Sequence, residues 1–323
     1  MKVKTFLLKF GLVLISFCAT AGAESLDTNS GVFHSAARNF LEAKNKVGAA
    51  VDAVENATAR FLSFKGDKLL KKHSGYGEFE FRLDEGKPEY NLIILNGLEV
   101  GSGEEGTFFN QFGLNRFDGR STINFGLGYR HLLNENKLLL GINAFYDHEL
   151  PYDHNRASVG VELTTSILSG NMNIYEALSG YRPDRDANEA RALDGWDANV
   201  FLALPYIKSS SLRFNHFNWN AIDGAVDLEG SSLSLIARLG LGLNFEAGRV
   251  FYESDVTKDD EYFAKVGFSM SLGERYIDDK EMFFEISSIP YELTDISSHR
   301  LLPVKRENRI IKQNKFSVSV SGF

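Results

Sequence analysis

Apolar and polar residues alternate with a period of two along the chain from Gly75 onwards, over roughly two hundred residues. Alternation of this kind places successive side chains on opposite faces of a β-strand. The clearest pair of strands covers residues 108–116 and 121–132, which flank Asp118-Gly119, a dipeptide typical of a tight hairpin turn. The whole pattern divides into about twelve candidate strands, the last at residues 262–272, and it predicts an all-β protein.

Strand length and loop length decide between a soluble sandwich and a membrane barrel. The candidate strands are mostly about 9 to 12 residues long, enough to cross a bilayer at a tilt, whereas ordinary strands have about 5 or 6 residues. Short connections at 133–136, 167–169 and 206–210 alternate with longer ones at 149–155, 181–194, 220–230 and 254–261. Outer-membrane barrels have short inner turns and longer outer loops, although the tight turn at 117–120, on the outer side, departs from this rule. We therefore predict a transmembrane antiparallel up-and-down β-barrel.

A helical pattern precedes the barrel region. Residues 31–65 lack proline, and apolar residues recur there in alternating steps of three and four, with Lys44 interrupting the stripe. This pattern fits one amphipathic helix packed against the rest of the chain. It also fits a self-associating coiled coil through residues 31–63, which the polar Lys44 and Thr58 disfavour. The basic residues 66–72 mark a predicted domain boundary.

The C-terminal residues differ from the barrel region in both pattern and charge. Alternation stops after Gly273, and residues 300–315 contain six basic side chains and one glutamate. A basic segment in an acidic protein fits either an intramolecular partner or a solvated tail. Phe323 could end a last barrel strand, but it lies out of register with the apolar residues of 316–320. The closing strand is therefore predicted at 262–272.

The first 23 residues are predicted to be a cleaved signal peptide. Lys2 and Lys4 precede the apolar run 6–17, Lys9 lies near its start, and Ala21-Gly22-Ala23 supplies the small residues of a cleavage site. A lipid-modified Cys18 is the alternative, which the preceding Phe17 disfavours. Cleavage shifts the net charge from −8 to −11 and removes Cys18, the single cysteine. The predicted mature chain has no thiol for catalysis or metal binding, and its acidity disfavours nucleic acid as a partner.

One cluster of residues could ligate a metal: Asp147, His148, Glu149, Asp153 and His154. Since Pro151 and the position between two strands predict an outer loop, we expect these side chains to be solvated instead. A lipase-type barrel would need serine and histidine close together on a strand near the membrane face, and the adjacent Ser and His pairs lie outside the predicted strands. The sequence therefore predicts no catalytic residues, no cofactor and no metal site.

Several segments resemble the β-domain of inverse autotransporters, the intimin and invasin family. NQFGLNRFDGRSTINFGLGYRHLL is similar to the family's signature hairpin, and LLLGINAFYDHEL to the strand that follows it. RASVGVEL, ALSGYR, GWDANVFLALP and LLPVKRENRIIKQ resemble later family segments. The resemblance covers about residues 79–313, and it is specific because several motifs occur in the family's order.

The resemblance implies a twelve-stranded outer-membrane barrel, an N-terminal periplasmic segment and a C-terminal linker that runs through the lumen to the cell surface. It assigns residues 301–313 to that linker, with four lumen linker residues: Arg306, Asn308, Arg309 and Ile311. Six barrel residues are expected to face the lumen: Asn124, Gly126, Gly128, Arg130, Glu162 and Asp197. We expect the basic linker to lie against acidic groups such as Glu162 and Asp197. The glycines at 126, 128, 141 and 160 are expected to leave it space.

The predicted organisation is a signal peptide at 1–23, a periplasmic helical segment at 24–72, an outer-membrane β-barrel at 73–273, and a linker with a short tail at 274–323. We predict a non-enzymatic translocator or anchor barrel in the outer membrane of a Gram-negative bacterium, which holds or exports its own C-terminal segment without an adhesin passenger. A small-solute channel is the alternative, and a surface enzyme is a more distant one. Expected partners are outer-membrane lipid, the barrel-assembly machinery and periplasmic chaperones.

Overall fold

The computed structural model describes residues 75–84, 87–98, 105–185, 188–238, 243–253, 256, 258–272, 286–315 and 320–321. The predicted signal peptide, the predicted helix with its self-association surface, the basic connector and Phe323 lie outside these residues. Among the described residues, no helix is long and apolar enough to cross a membrane.

Twelve antiparallel strands close into a barrel. The first seven are β1 Gly75–Asp84, β2 Lys87–Leu98, β3 Gly106–Phe117, β4 Arg120–Leu133, β5 Leu138–Leu150, β6 Asn155–Thr164 and β7 Leu168–Ala177. Two short strands, β8 Arg182–Pro183 and β9 Glu189–Ala192, belong to a second sheet. The barrel continues with β10 Gly195–Leu204, β11 Ile207–Trp219, β12 Leu228–Arg238, β13 Leu243–Tyr252 and β14 Glu261–Leu272. Since β14 pairs with β1, the predicted barrel of about twelve strands and its closing strand are confirmed.

The side chains of the barrel wall alternate between an apolar outer face and a polar inner face. In β4, Phe125 and Leu127 are 50% and 51% exposed, whereas Asn124 and Arg130 are 1% and 2% exposed. The same exposed apolar face continues around the barrel in Ile142, Val159, Val161, Ile174, Val200, Phe214 and Leu233. A soluble sandwich would turn its apolar face inward, so this distribution is that of a barrel surrounded by lipid.

The two ends of the barrel differ in their connections. One end has the short turns 134–137, 165–167 and 205–206. We call it the inner end, because outer-membrane barrels have their short turns on the inner side. The opposite, outer end includes the longer connections 178–194, 220–227 and 253–260. The tight turn between β3 and β4 also lies at the outer end, as the sequence predicts. Its Asp118 and Gly119 have positive φ angles of 46° and 78°, the left-handed conformation that tight hairpins require.

Residues 286–315 run from the inner end to the outer end. At the inner end, the Ser287 amide donates to the Tyr206 carbonyl and the Ile296 amide to the Asn136 carbonyl, both at 2.8 Å. A 3₁₀ helix, Ser297–Leu301, follows. At the outer end, β15 Lys312–Asn314 pairs with β9.

The outer end also has a small sheet that the sequence analysis did not predict. The strands β8 and β9 form a hairpin in the connection between β7 and β10, β15 pairs with β9, and β16 Val320–Ser321 pairs with β15. The predicted outer loop at 181–194 is therefore a hairpin that binds the C-terminal residues. Two of these strands have only two residues, which is too short to show a period in the sequence.

Candidate functional site

The candidate site is the inner face of the barrel together with residues 299–312, which we call the interior segment. Ile311 and Lys312 bind β9 and the residue after it through their backbone, whereas barrel side chains bind the backbone of the preceding residues. Gln111 accepts the Val304 amide at 2.8 Å, and Asn173 donates to the Lys305 carbonyl at 3.0 Å. Because a buried backbone group needs a partner, these inward polar side chains replace the hydrogen bonds that a sheet would provide.

Arg306 of the interior segment forms a buried ion pair with Asp147 of β5. The two guanidinium nitrogens donate to the two carboxylate oxygens at 2.8 and 2.7 Å. Arg156 of β6 donates to the same carboxylate at 2.9 Å, and Asn124 of β4 does so at 2.8 Å. All three charged side chains are 0% exposed. A buried charge is stable only when it is paired, so each of these partners depends on the others.

Arg130 of β4 binds the interior segment closer to the inner end. Its Nε and Nη2 donate to Glu162 of β6 at 2.7 and 3.0 Å. Its Nη1 donates to the carbonyl oxygens of Arg300 and Leu302 at 2.9 and 2.6 Å. One guanidinium therefore links two barrel strands to the backbone of the interior segment.

The predicted acidic partners Glu162 and Asp197 lie inside the barrel, but within the described part of the chain they bind barrel side chains and a backbone amide of the interior segment, not its basic side chains. Glu162 pairs with Arg130 of the barrel itself, and Asp197 accepts the Tyr175 hydroxyl at 2.6 Å and the Glu307 amide at 3.2 Å. Asp147 is the acidic partner of Arg306. The period of two gives the face on which a side chain lies, but it does not give its height along the barrel.

The inward glycines make room for barrel side chains, and the expectation that they leave space for the linker is wrong. A Cβ at Gly126 would lie 2.3 Å from the Phe145 ring, and one at Gly128 would lie 2.2 Å from the Phe109 ring. Arg306 lies over the Phe145 ring at 4.3 Å, and Arg130 lies over the Phe109 ring at 4.5 Å. Each glycine thus seats an aromatic ring on which an arginine stacks.

Gly141 and Gly160 are likewise close to barrel side chains. A Cβ at Gly141 would lie 2.4 Å from the Glu162 carboxylate, and one at Gly160 would lie 2.4 Å from the Asn173 amide oxygen. The glycines therefore shape the wall that receives the interior segment, and act on that segment through their neighbours.

The other predicted linker residues, Asn308, Arg309 and Ile311, lie toward the outer end of the barrel. The Asn308 carbonyl accepts the Asn124 side chain at 3.0 Å. Arg309 pairs with Glu307 of its own segment at 2.9 Å and lies 4.5 Å above the Phe117 ring. Ile311 is fully buried in an apolar cluster with Tyr175, Leu193, Phe217, Trp219, Leu228 and Val250.

A second group of buried charges lies at the outer end. The Lys312 ammonium lies 2.8 Å from Glu149 and 2.7 Å from Asp184, and Arg120 lies 2.9 Å from Glu149. His154 is fully buried beside them. Burial, and then the nearby Lys312 ammonium, lower the pKa of His154 from 6.5 to about 4, so its imidazole is neutral at pH 7.

The prediction of a solvated loop for the candidate metal ligands is wrong for three of the five. Asp147 and His154 are 0% exposed and Glu149 is 1% exposed. His148 and Asp153 are more accessible and lie 3.6 Å apart. The alternation of β5 extends farther than the loop assignment assumed, so Asp147 and Glu149 point inward, and both bind residues that are distant in sequence.

A cavity of about 450 Å³ remains inside the barrel beside the interior segment. Its lining includes Glu78, Arg213, Glu246, Lys265 and Lys305. Glu246 of β13 accepts Arg213 of β11 at 3.0 Å and lies 3.4 Å from Lys265 of β14, so the charges on this side also pair between strands. The interior segment therefore leaves part of the lumen unfilled.

A closed barrel with an apolar outer face, a polar interior and a chain segment inside it defines the class of outer-membrane translocator barrels. Residues 29–245 match the family model for the inverse autotransporter β-domain. The chain belongs to that family.

Curated relatives match over shorter stretches. The chain is 41% identical over 101 residues to the inverse autotransporter adhesin YeeJ of Escherichia coli K12, which is 30% of this chain and 4% of that protein. It is 35% identical over 99 residues to a putative attaching and effacing protein homolog of the same strain, which is 30% of this chain and 33% of the relative. The invasin of Yersinia enterocolitica is 33% identical over 100 residues, 12% of its length. The chain thus spans a third or less of these relatives.

A solved structure named "Unveiling the Mechanism Behind the in-meso Crystallization of Membrane Proteins" has the same fold. It superposes with a TM-score of 0.64 at 19% identity and covers 75% of this chain and 100% of its own. At this identity the similarity extends to the fold alone.

Proposed function

We propose that this barrel anchors its own C-terminal segment across the outer membrane and presents the residues beyond Asn314 at the cell surface. The observation that carries the proposal is the buried ion pair of Arg306 with Asp147, at 2.8 and 2.7 Å. A charge that is fully removed from water requires this geometry, so the segment has a built binding site within the barrel. A tail that entered the lumen without such a site would leave both charges solvated.

The proposal includes several finer statements. The N-terminal 23 residues are removed on export through the inner membrane, and the barrel acts without catalysis. Outer-membrane lipid contacts the apolar face, and the barrel-assembly machinery and periplasmic chaperones bring the chain to the membrane. The region before the barrel self-associates through residues 31–63. Adhesion is named for a relative, the inverse autotransporter adhesin YeeJ, and we propose adhesion only for a longer protein that carries a passenger.

A small-solute channel is the second candidate function. The observation that favours it is the cavity of about 450 Å³, which is lined by charged side chains as a polar pore would be. A channel of this kind would conduct ions with the interior segment in place. The two functions therefore differ in what removal of that segment does.

Conductance in planar lipid bilayers separates the two functions. The full chain is compared with a variant lacking residues 297–323, and a variant lacking only residues 316–323 serves as the matched control because it keeps the interior segment. We expect small or no steady conductance for the full chain and the control, and a large open conductance for the longer deletion. The same measurable open conductance in all three variants would contradict the anchor function and support the channel. Heat-dependent migration on a denaturing gel verifies that each variant forms a barrel.

A further inference from the structure

Three potential metal ligands converge at the outer end of the barrel. They come from three places in the sequence: Glu149 from the end of β5, His154 from the turn after it, and Asp184 from the connection between β8 and β9. One ligand atom of each lies within 4.8 Å of the others. Glu149 and His154 are 1% and 0% exposed, and the Asp184 side chain is 9% exposed. This arrangement is a protected cluster rather than a group of surface acids.

His154 is the observation that points to a ligand. Both of its ring nitrogens are buried, and neither has a hydrogen-bond partner among the described residues. A buried polar atom without a partner is destabilising, so such a side chain is rarely found without a reason. Imidazole nitrogen with two carboxylates is a set of ligands that Zn²⁺ binds in proteins.

The position that a cation would take is next to the ammonium group of Lys312. This group lies 2.8 Å from Glu149 and 2.7 Å from Asp184, and Arg120 adds a second positive charge at 2.9 Å from Glu149. A divalent ion bound to these two carboxylates at about 2.0–2.2 Å would lie beside the ammonium group and compete with it for their negative charge. Like charges at that separation also repel strongly in a buried site. The ion and Lys312 therefore exclude each other.

We propose that Glu149, His154 and Asp184 form a binding site for a zinc-like divalent cation, which competes with the Lys312 ammonium and weakens the attachment of β15 when it binds. Lys312 is the first residue of β15, whose register pairs it with Ala192 of β9. Displacement of its side chain acts on the outer attachment of the C-terminal segment. The pair of Arg306 and Asp147 lies deeper and remains. The site is independent of whether the barrel exports or conducts.

Zinc binding to the purified full chain tests the proposal, with Zn²⁺ alone as the probe and calorimetry as the measurement. We expect one ion per chain for the unmodified protein. The Lys312→Met variant should bind at least about tenfold more tightly because the competing charge is gone, and His154→Ala should bind at least about tenfold more weakly. His148→Ala is the matched control, because this neighbouring histidine is more accessible and lies outside the cluster, and it should bind as the unmodified protein does.

Protease access provides the second measurement. Zn²⁺ should speed tryptic cleavage at Lys312 and Lys315 in the unmodified chain and in His148→Ala, and should have no effect in His154→Ala. Equal loss of zinc binding in His148→Ala and His154→Ala would show a surface histidine site and overturn the proposal. Unchanged or weaker binding in Lys312→Met would overturn the competition. A His154→Gln variant replaces His154→Ala if the latter shows no heat-dependent gel migration, and the same loss is expected.

Discussion

The two sides of the barrel interior differ in how they receive the interior segment. Toward β4–β7, Arg306 is enclosed by Asp147, Arg156 and the Phe145 ring, and its side chain is 0% exposed. Toward β1, the preceding residue Lys305 approaches Glu78 at 3.8 Å, and its side chain is 49% exposed beside the cavity. Two consecutive basic residues therefore differ in burial, and we call the wall beside the buried Arg306 the dry side and the wall beside the exposed Lys305 the wet side. The comparison teaches that one wall binds the segment while the other leaves space along it.

The largest expected effect comes from reversing the charge on the dry side. Arg306→Glu places a carboxylate against Asp147 in a fully buried site, and loss of a buried pair costs about 3–5 kcal/mol. The free energy of local opening, measured by amide hydrogen exchange at Val304 and Glu307, should fall by this amount. Lys305→Glu is the matched control on the wet side, and we expect a change of at most about 1 kcal/mol because solvent screens its charge. Similar losses in both variants would remove the distinction between the two walls.

An intermediate effect is expected from filling a glycine on the dry side. In Gly126→Ala the added Cβ would lie 2.3 Å from the Phe145 ring, which must move and carries Arg306 with it. Overpacking of this kind costs about 1–3 kcal/mol. The urea midpoint of the heat-dependent gel shift should fall accordingly. Gly267→Ala on the wet side is the control, since its nearest neighbour would be 3.4 Å away and the midpoint should hardly change.

The smallest expected effect concerns the inner end, where the residues that precede the interior segment are bound to the barrel by single hydrogen bonds. Ser166 accepts the Thr294 amide at 3.1 Å and donates to the Glu292 carbonyl at 2.8 Å. Ser166→Ala should cost about 0.5–1.5 kcal/mol. Faster exchange confined to the Thr294 amide is the expected readout. Loss of protection at Val304 as well would mean that the inner end and the interior segment open together.

The features found from the sequence are those that depend on local period. Alternation identified the twelve strands, including the closing strand, and it placed Asn124, Arg130 and Asp197 on the polar face, where they are 1%, 2% and 4% exposed. Turn chemistry located the hairpin at Asp118 and Gly119. Residues 301–313, which resemble the family's linker, contact barrel side chains such as Gln111, Asn173 and Asp147, whereas the change of charge in the tail fitted an intramolecular partner and a solvated tail equally well.

The features that were missed depend on residues far apart in the chain. Asp147 and Glu149 were assigned to a solvated loop, although they pair with Arg306 and Lys312, more than 150 residues away. Gln111 and Asn173, which bind the backbone of the segment, look like any other inward polar residue. The sheet between β9 and β15 joins segments too short to show a period.

The sequence by itself determined the strands, because a strand alternates with a period of two whatever its neighbours are, and the lengths of the strands and loops favoured a membrane barrel over a soluble sandwich. Only the tertiary structure decided which inward side chains meet, since the stagger and closure of the strands set the height of each residue. It also decided that Gly126 accommodates Phe145 and that Phe145 supports Arg306. The hairpin of β3 and β4 can be predicted from its own residues. The site that binds the interior segment instead requires charged side chains of β4, β5, β6, β10 and the segment itself to be buried together.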